Sequence, residues 1–340
     1  VIEGRATPEG TDRFRRRFPR LDAAGHFRHG GGGLWLSSIG LGTSQGALDE
    51  DTDAGYEAAV RRALELGCNV FDTAISYRGE RSERALGRAL AQAFADGVAA
   101  RDEVFVVTKG GLQGEAFASQ LAPSRANLGL GTIDLYLLHN PETRLAELSR
   151  EGLEAGLETA FAELETAAER DEIGLYGVAT WEGLRLAPAD PGHLGLARLV
   201  ALSGPRFRAI ELPVNAAMPE ALVAPTQDLD GVRVPVLAAA RKLDLTVLTS
   251  GSILKRLGLP LPAEIAELFP AFETDAQRAL QFTRSAPGVT VALAGMGQAA
   301  HVEENLAVAA LSPAGLEIFQ WIFGGMGGRG DNRGPREGEP

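Results

Sequence analysis

A single cysteine, Cys68, is all the thiol the chain has, which excludes an internal disulfide and with it the small disulfide-stapled secreted class. It falls where a helical pattern ends and an apolar strand begins, so it reads as core filler in a reducing cytoplasm. No uninterrupted apolar run approaches the roughly 20 residues needed to cross a bilayer, so a membrane partner is not expected. Positive charge is also in short supply. Thirty-three basic residues against 45 acidic ones leave a net charge of −12, which repels a phosphate backbone, so nucleic acid is not expected either. The one basic cluster, Arg13, Arg15, Arg16, Arg17 and Arg20, is not followed by a hydrophobic region, which does not support a secretory signal. It reads as a solvated arm.

What is present is a long, regular alternation. With 340 residues, 45% of them apolar, the chain can bury a large core, either as two ordinary domains or as one barrel. Strand patterns at 35–41, 70–72, 104–109, 133–139, 173–180, 207–212, 245–249 and 289–294 alternate with helical ones. Among the helices, 53–66 carries Tyr56, Val60, Ala63 and Leu64 on one face and ends at Gly67. A second stops near Gly97, and a long third carries Leu153, Leu157, Phe161 and Leu164. A helix after each strand demands parallel pairing and right-handed crossovers. Eight such units predict a closed (β/α)8 TIM barrel, α/β in class and a single domain over 34–323. Residues 1–33 form an N-terminal arm and the start of a hairpin around the Gly30–Gly33 turn. Residues 324–340, rich in glycine and charge, are expected to be a disordered tail.

Three strand exits carry the chemistry. Val70 and Phe71 deliver Asp72, with Tyr77 five residues on in a polar loop; a second strand ends on Lys109 and a third on His139. Barrel enzymes hold their catalytic groups at this end. A free phenol has a pKa of about 10; a neighbouring lysine cation favours the phenolate, and a carboxylate keeps that lysine charged. The motifs Asp72-Thr-Ala-Ile-Ser-Tyr77, Val107-Thr-Lys109-Gly-Gly and Leu137-Leu-His139-Asn-Pro resemble the catalytic tetrad of the aldo-keto reductases. That resemblance, which spans about 34–310, implies that Tyr77 is the general acid, Lys109 lowers its pKa, Asp72 holds Lys109 charged and His139 orients a substrate carbonyl. No metal is called for.

The same resemblance implies NADP as cofactor, with NAD possible. Gly40-Leu-Gly42-Thr43 is similar to the family's first exit loop. Gly40, Gly42 and Gly46 also approximate a Rossmann fingerprint, but the third glycine is one residue late and Asp49, Glu50 and Asp51 would oppose a pyrophosphate. Where the family places a Ser-Asn pair on the carboxamide this chain has Ala179-Thr180, so only Thr180 offers a side-chain hydrogen bond. Glu211 replaces the usual Gln, and Asn215 follows in the familiar place. Ser252, Leu254 and Lys255 are the implied pyrophosphate contacts, without the aromatic that stacks on nicotinamide. Gly295, Gly297, His301, Glu304 and Asn305 are the implied adenosine contacts, without the Lys and Arg that grip a 2′-phosphate. NADPH is therefore expected to be preferred modestly, with NADH accepted.

The function expected is reduction of an aldehyde or ketone to an alcohol by a cytoplasmic monomer or small homo-oligomer, with a small-molecule carbonyl compound as partner. The loops at 181–191 and 213–235 are long, and Trp181 and Met218 in them suggest an apolar wall. Two other classes fit the same barrel: a non-catalytic nucleotide-binding sensor or subunit, and a non-redox lyase or isomerase.

Overall fold

A computed structural model describes residues 1–111, 120–254 and 258–324. The tail expected to be disordered lies, from residue 325, outside the described residues, and Gly324 instead closes the helix Leu316–Gly324. Twelve strands occur among the described residues: β1 (Phe27–His29), β2 (Trp35–Ser37), β3 (Ile39–Gly42), β4 (Val70–Asp72), β5 (Phe105–Gly110), β6 (Ile133–His139), β7 (Ile173–Ala179), β8 (Phe207–Pro213), β9 (Gln227–Leu229), β10 (Val232–Val234), β11 (Thr246–Ser250) and β12 (Val291–Gly295). Eight of them close a parallel barrel in the order β3-β4-β5-β6-β7-β8-β11-β12. This is the expected (β/α)8 architecture.

The strands are apolar on both faces because each face has its own core. Val70, Phe105, Val107, Leu135, Leu137 and Leu248 fill the barrel interior. Their alternates Phe71, Val106, Tyr136 and Leu138 face the surrounding helices. The register breaks once, between Tyr176 and Gly177 of β7 where it meets β8. There a Cβ on Gly177 would lie 1.8 Å from the Ala209 carbonyl oxygen, so only glycine lets the two backbones approach so closely.

The helices follow their local signals. Glu50–Glu65 starts at Asp49, whose carboxylate accepts the Thr52 N–H at 2.8 Å, and stops at Gly67 with φ 90°. Arg81–Ala95 ends before Gly97 with φ 70°, and Arg150–Glu169 buries Leu153, Leu157, Phe161 and Leu164. No helix among the described residues is long and apolar enough to cross a membrane.

Three expectations are corrected. The run 35–41 is two strands: β2 pairs antiparallel with β1, while β3 joins the barrel, and Ser38 between them turns its N–H to the His26 carbonyl at 2.6 Å. The arm is packed rather than solvated. Its helices Pro8–Arg16 and Pro19–Ala23 bury Phe14 completely against Phe18 and Phe27, with ring centroids 5.2 and 6.2 Å away. Burying one such ring stabilises by about 2 kcal/mol. Four of the five arginines are paired, Arg13 with Asp102 (2.6 Å) and Glu103 (2.9 Å), Arg15 with Asp12 and Asp22, Arg16 with Asp12 and Arg17 with Glu103. Finally, 213–235 is not wholly irregular: it contains the hairpin β9–β10, turned by Asp230 and Gly231 at φ 55° and 80°.

The β1–β2 hairpin closes the N-terminal end of the barrel. Gly31 N–H donates to Thr246 Oγ1 at the start of β11 (2.7 Å), and Leu34 and Leu36 join the interior cluster. The opposite end is left open.

Candidate active site

Because the eight strands are parallel, their last residues meet at one rim, and there the chain concentrates its ionisable side chains. Asp72 ends β4, Lys109 stands one residue from the end of β5, His139 ends β6 and Glu211 lies in β8. Lys109 is wholly buried; its ammonium donates to Asp72 Oδ2 and to the Thr73 carbonyl (3.1 Å), and lies 3.2 Å from Glu211 Oε2. The same ammonium stands 5.3 Å from the Tyr77 ring centroid, and that ring meets His139 edge-on at 5.9 Å. The structure thus brings Asp72, Tyr77, Lys109 and His139 together, with Glu211 as a fifth member.

Their electrostatics differ from expectation at one point. Burial lowers the affinity of Lys109 for its proton, but Asp72 and Glu211 together outweigh burial and hold the ammonium charged. Tyr77 is pushed up to about 12 rather than down. Burial is the largest cause, the pull of Lys109 downward is smaller, and Asp72 and Glu211 push upward with burial. The two carboxylates offset part of the lysine's pull on the phenol, and burial outweighs the rest. Burial, followed by repulsion from Lys109, lowers His139 to about 4, so its imidazole is neutral at neutral pH. Glu211 rises to about 8 through burial and the Asp72 charge, against the opposing pull of Lys109.

Tyr77 stands on an unusual loop. Arg78, Gly79 and Glu80 all have positive φ (50°, 58° and 66°), a conformation that two of the three adopt only under constraint. The buried Arg78 side chain supplies it, donating to the Ala47 carbonyl (2.8 Å) and to Asp53 Oδ1 (2.6 Å), while Arg81 donates to Asp53 Oδ2 (2.7 Å). Burial alone would raise Asp53, yet the two guanidiniums hold it below the usual carboxylate range. Arg78 and Asp53 were not singled out from the sequence, since nothing in their spacing separates them from surface charges.

Across the rim, Glu142, three residues after His139, accepts the backbone N–H groups of Trp181, Glu182 and Gly183 on Oε1 at 3.0, 3.2 and 3.3 Å. It is buried and fastens the start of the loop after β7 to the exit of β6. Trp181 itself is 40% exposed beside that exit.

From the tetrad a cleft of ≈ 720 Å³ runs outward over the ends of β3, β11 and β12. Of the residues expected to hold a cofactor, Gly42, Glu211, Ser252, Gly295, Gly297, His301, Glu304 and Asn305 line it. Thr43 and Leu254 do not: the Thr43 hydroxyl donates to the Asp72 carbonyl (3.0 Å), and Leu254 is buried. Nor does Thr180, whose N–H donates to the Glu211 carbonyl (2.9 Å). Lys255 lies outside the described residues. Asn215 is committed elsewhere, joining two strand exits through its Nδ2 donation to the Gly251 carbonyl at 3.0 Å. Lining residues that the sequence did not mark include Gln45 and Tyr56, which close on each other through two hydrogen bonds of 3.2 and 3.0 Å.

Residues 38–191 match the sequence pattern of the Aldo/keto reductase family. Over that span the chain is similar to the aldo/keto reductase family. Among curated relatives it is 42% identical to an aldo-keto reductase of Mycobacterium tuberculosis over 106 residues, 30% of this chain and 33% of that protein. It is 30% identical to an aldo-keto reductase of Bombyx mori over 186 residues, 53% of this chain and 50% of that protein. The chain therefore spans a third to a half of the length of these relatives. The fold similarity is wider: the aldo/keto reductase from Klebsiella pneumoniae in complex with NADP and acetate superposes with a TM-score of 0.65 at 20% identity, covering 87% of this chain and 93% of that one. The aldo/keto reductase span carries Asp72, Tyr77, Lys109 and His139 and ends before β8, so Glu211 lies outside it.

Proposed function

We propose that the chain is an NAD(P)H-dependent carbonyl reductase, turning a small aldehyde or ketone into an alcohol. The observation that carries this reading is the buried ammonium of Lys109 beside both Asp72 and the Tyr77 ring, with the neutral imidazole of His139 meeting that ring edge-on.

A dinucleotide fits the residues present. The cleft begins at Asp72 and Tyr77 and reaches His301 and Asn305, and its volume falls within the range of about 300 to 1,000 Å³ usual for ligand sites. Asn305, lining its far end, has a buried Oδ1 without a partner, and Thr180 Oγ1 near the tetrad is likewise unsatisfied. Glu304 is half-committed, since one oxygen accepts from Thr274 Oγ1 at 2.6 Å. Relatives of the same fold were solved with NADP or NADPH bound. When bound, the nucleotide supplies the hydride, from C4 of its nicotinamide to the carbonyl carbon.

This chain's own residues manage the oxygen. His139, neutral, donates one N–H to the carbonyl and fixes it beside the Tyr77 hydroxyl. Tyr77, held protonated by its buried surroundings, passes its proton to the oxygen as negative charge develops there. Lys109 then faces the phenolate left behind and stabilises it, which matters more in the transition state than in the ground state. Asp72 keeps Lys109 charged and aimed. Trp181, fastened by Glu142, stands beside the mouth as an apolar wall for the substrate.

The test is NADPH fluorescence on adding protein, followed by turnover across a panel of simple aldehydes. Binding with turnover supports the reading. Binding without turnover points to a sensor, and absence of binding to a non-redox barrel.

A further inference from the structure

We propose that Glu211 couples the oxidation state of the bound nicotinamide nucleotide to the release of one proton, so that the chain favours the oxidised form increasingly as pH rises. The inference rests on the reductase reading above and deepens it.

Charge balance at the barrel mouth is the starting point. Asp72 from β4 and Glu211 from β8 both approach Lys109 from β5, and all three are buried. With both carboxyls ionised the trio carries one net negative charge; with one protonated it is neutral. Burial raises both carboxyls against the pull of Lys109, Glu211 to about 8 with the Asp72 charge adding to burial, so the pair shares one proton that is held more weakly than those of Lys109 and Tyr77. The other groups facing this position titrate elsewhere, Tyr77 near 12 and His139 near 4. The flanking strands present Ala179 of β7 and Leu248, Thr249 and Ser250 of β11 opposite or beside it, and Thr180 follows β7; none of these ionises near neutrality. Between about pH 6 and about pH 9.5 the cluster therefore has one proton to gain or lose.

The second step is geometric. Glu211, Asp72 and Tyr77 line the same end of the cleft. A ring that gives hydride to a carbonyl held at Tyr77 must stand there too, within the field of Glu211. The reduced nicotinamide is neutral and the oxidised one is a cation. A cation beside a buried, protonated acid favours the carboxylate and sends its proton to solvent; reciprocally, the ionised acid binds the cation more tightly. A glutamine, the residue the resemblance leads one to expect here, is neutral at every pH and cannot do this. At a separation of several ångströms, partly offset by Lys109, the preference is expected to change roughly tenfold between the two protonation states.

The experiment is a titration of NADP+ and NADPH, by protein fluorescence, against wild type and Glu211→Gln at about pH 6 and about pH 9.5. The 2′-phosphate ionises in both nucleotides alike and cancels in the ratio of their dissociation constants. For wild type, the ratio Kd(NADPH)/Kd(NADP+) should rise roughly tenfold with pH; for Glu211→Gln it should be flat. A ratio in wild type that does not move, or one that moves equally in the variant, overturns the inference while leaving the reductase reading intact. If neither nucleotide binds wild type at either pH, the reductase reading falls and this inference with it. Should Glu211→Gln not fold, calorimetry of wild type in two buffers of different ionisation enthalpy decides: NADP+ binding should release a proton near neutrality that NADPH binding does not, and equal release overturns the coupling.

Discussion

Arg78 donates to Asp53 at 2.6 Å with both side chains buried, and this pair fixes the backbone on which Tyr77 stands. Arg78 also donates to the carbonyls of Ala47 and Asp49 ahead of the helix Glu50–Glu65 and stands 5.5 Å from the Tyr56 ring centroid within it, but Asp53 is its one carboxylate partner among the described residues.

Asp53→Ala should therefore act twice. Removing one partner strands Arg78 and leaves Arg81 and Arg88 without their shared carboxylate, which should lower stability by about 2 to 4 kcal/mol in a denaturant titration. Turnover should fall by more than the folded fraction does, since Tyr77 loses its position. Equal losses in both would reduce the pair to a structural one.

Tyr77→Phe removes only the phenolic oxygen. Nucleotide affinity should persist, while reduction falls by roughly a hundredfold or more, the usual cost of a lost general acid. Near-normal turnover in steady-state kinetics would remove Tyr77 from its assigned role.

Much of this was legible in advance, and the reasons are physical. Eight apolar runs separated by helical periodicity leave few folds open, and the short motifs at 72–77, 107–111 and 137–141 fix where the rim chemistry lies. The packing of the arm is masked in the sequence because its apolar residues, Phe14, Phe18 and Leu21, are few, are divided between two short helices and are outnumbered by arginines. The Asp230-Gly231 pair is itself a hairpin signal, and β9–β10 turns on it. The sign of the Tyr77 shift was not readable at all: burial sets it, and one of the two carboxylates that push the same way, Glu211, is 134 positions away in sequence and brought to Lys109 only by barrel closure.

Acid should weaken the fold through His26. Its ring is buried between Ser38 Oγ and the Gly67 carbonyl, both 3.1 Å away, and burial, then repulsion from Arg284, lowers it to about 3. The unfolded chain takes up this proton near pH 6.5 and the native state does not, so stability is complete above that and is lost as pH falls toward about 3. His139, at about 4, adds in the same direction. The stability–pH slope should flatten in His26→Gln, and an unchanged slope would count against burial of a neutral ring.

Cofactor choice turns on position 301. His301 lines the far end of the cleft and is exposed, and no arginine or lysine accompanies it there among the described residues. NADPH should be preferred modestly and NADH accepted. His301→Arg should tighten NADPH by about 1 to 3 kcal/mol and leave NADH nearly untouched, because a guanidinium can pair with the 2′-phosphate. Equal gains for both nucleotides in parallel titrations would mean that the side chain faces another part of the ligand.

The three N–H groups gathered by Glu142 also bear on any attempt to re-engineer the barrel mouth. The loop beginning at Trp181 is not an autonomous module, because its first three amides are anchored to a carboxylate supplied by a different strand exit. Transplanting that loop between barrels of this kind would need the acid at the recipient's position equivalent to 142 as well. Without it the graft would carry three amides with no acceptor, and the start of the loop would lose its fastening.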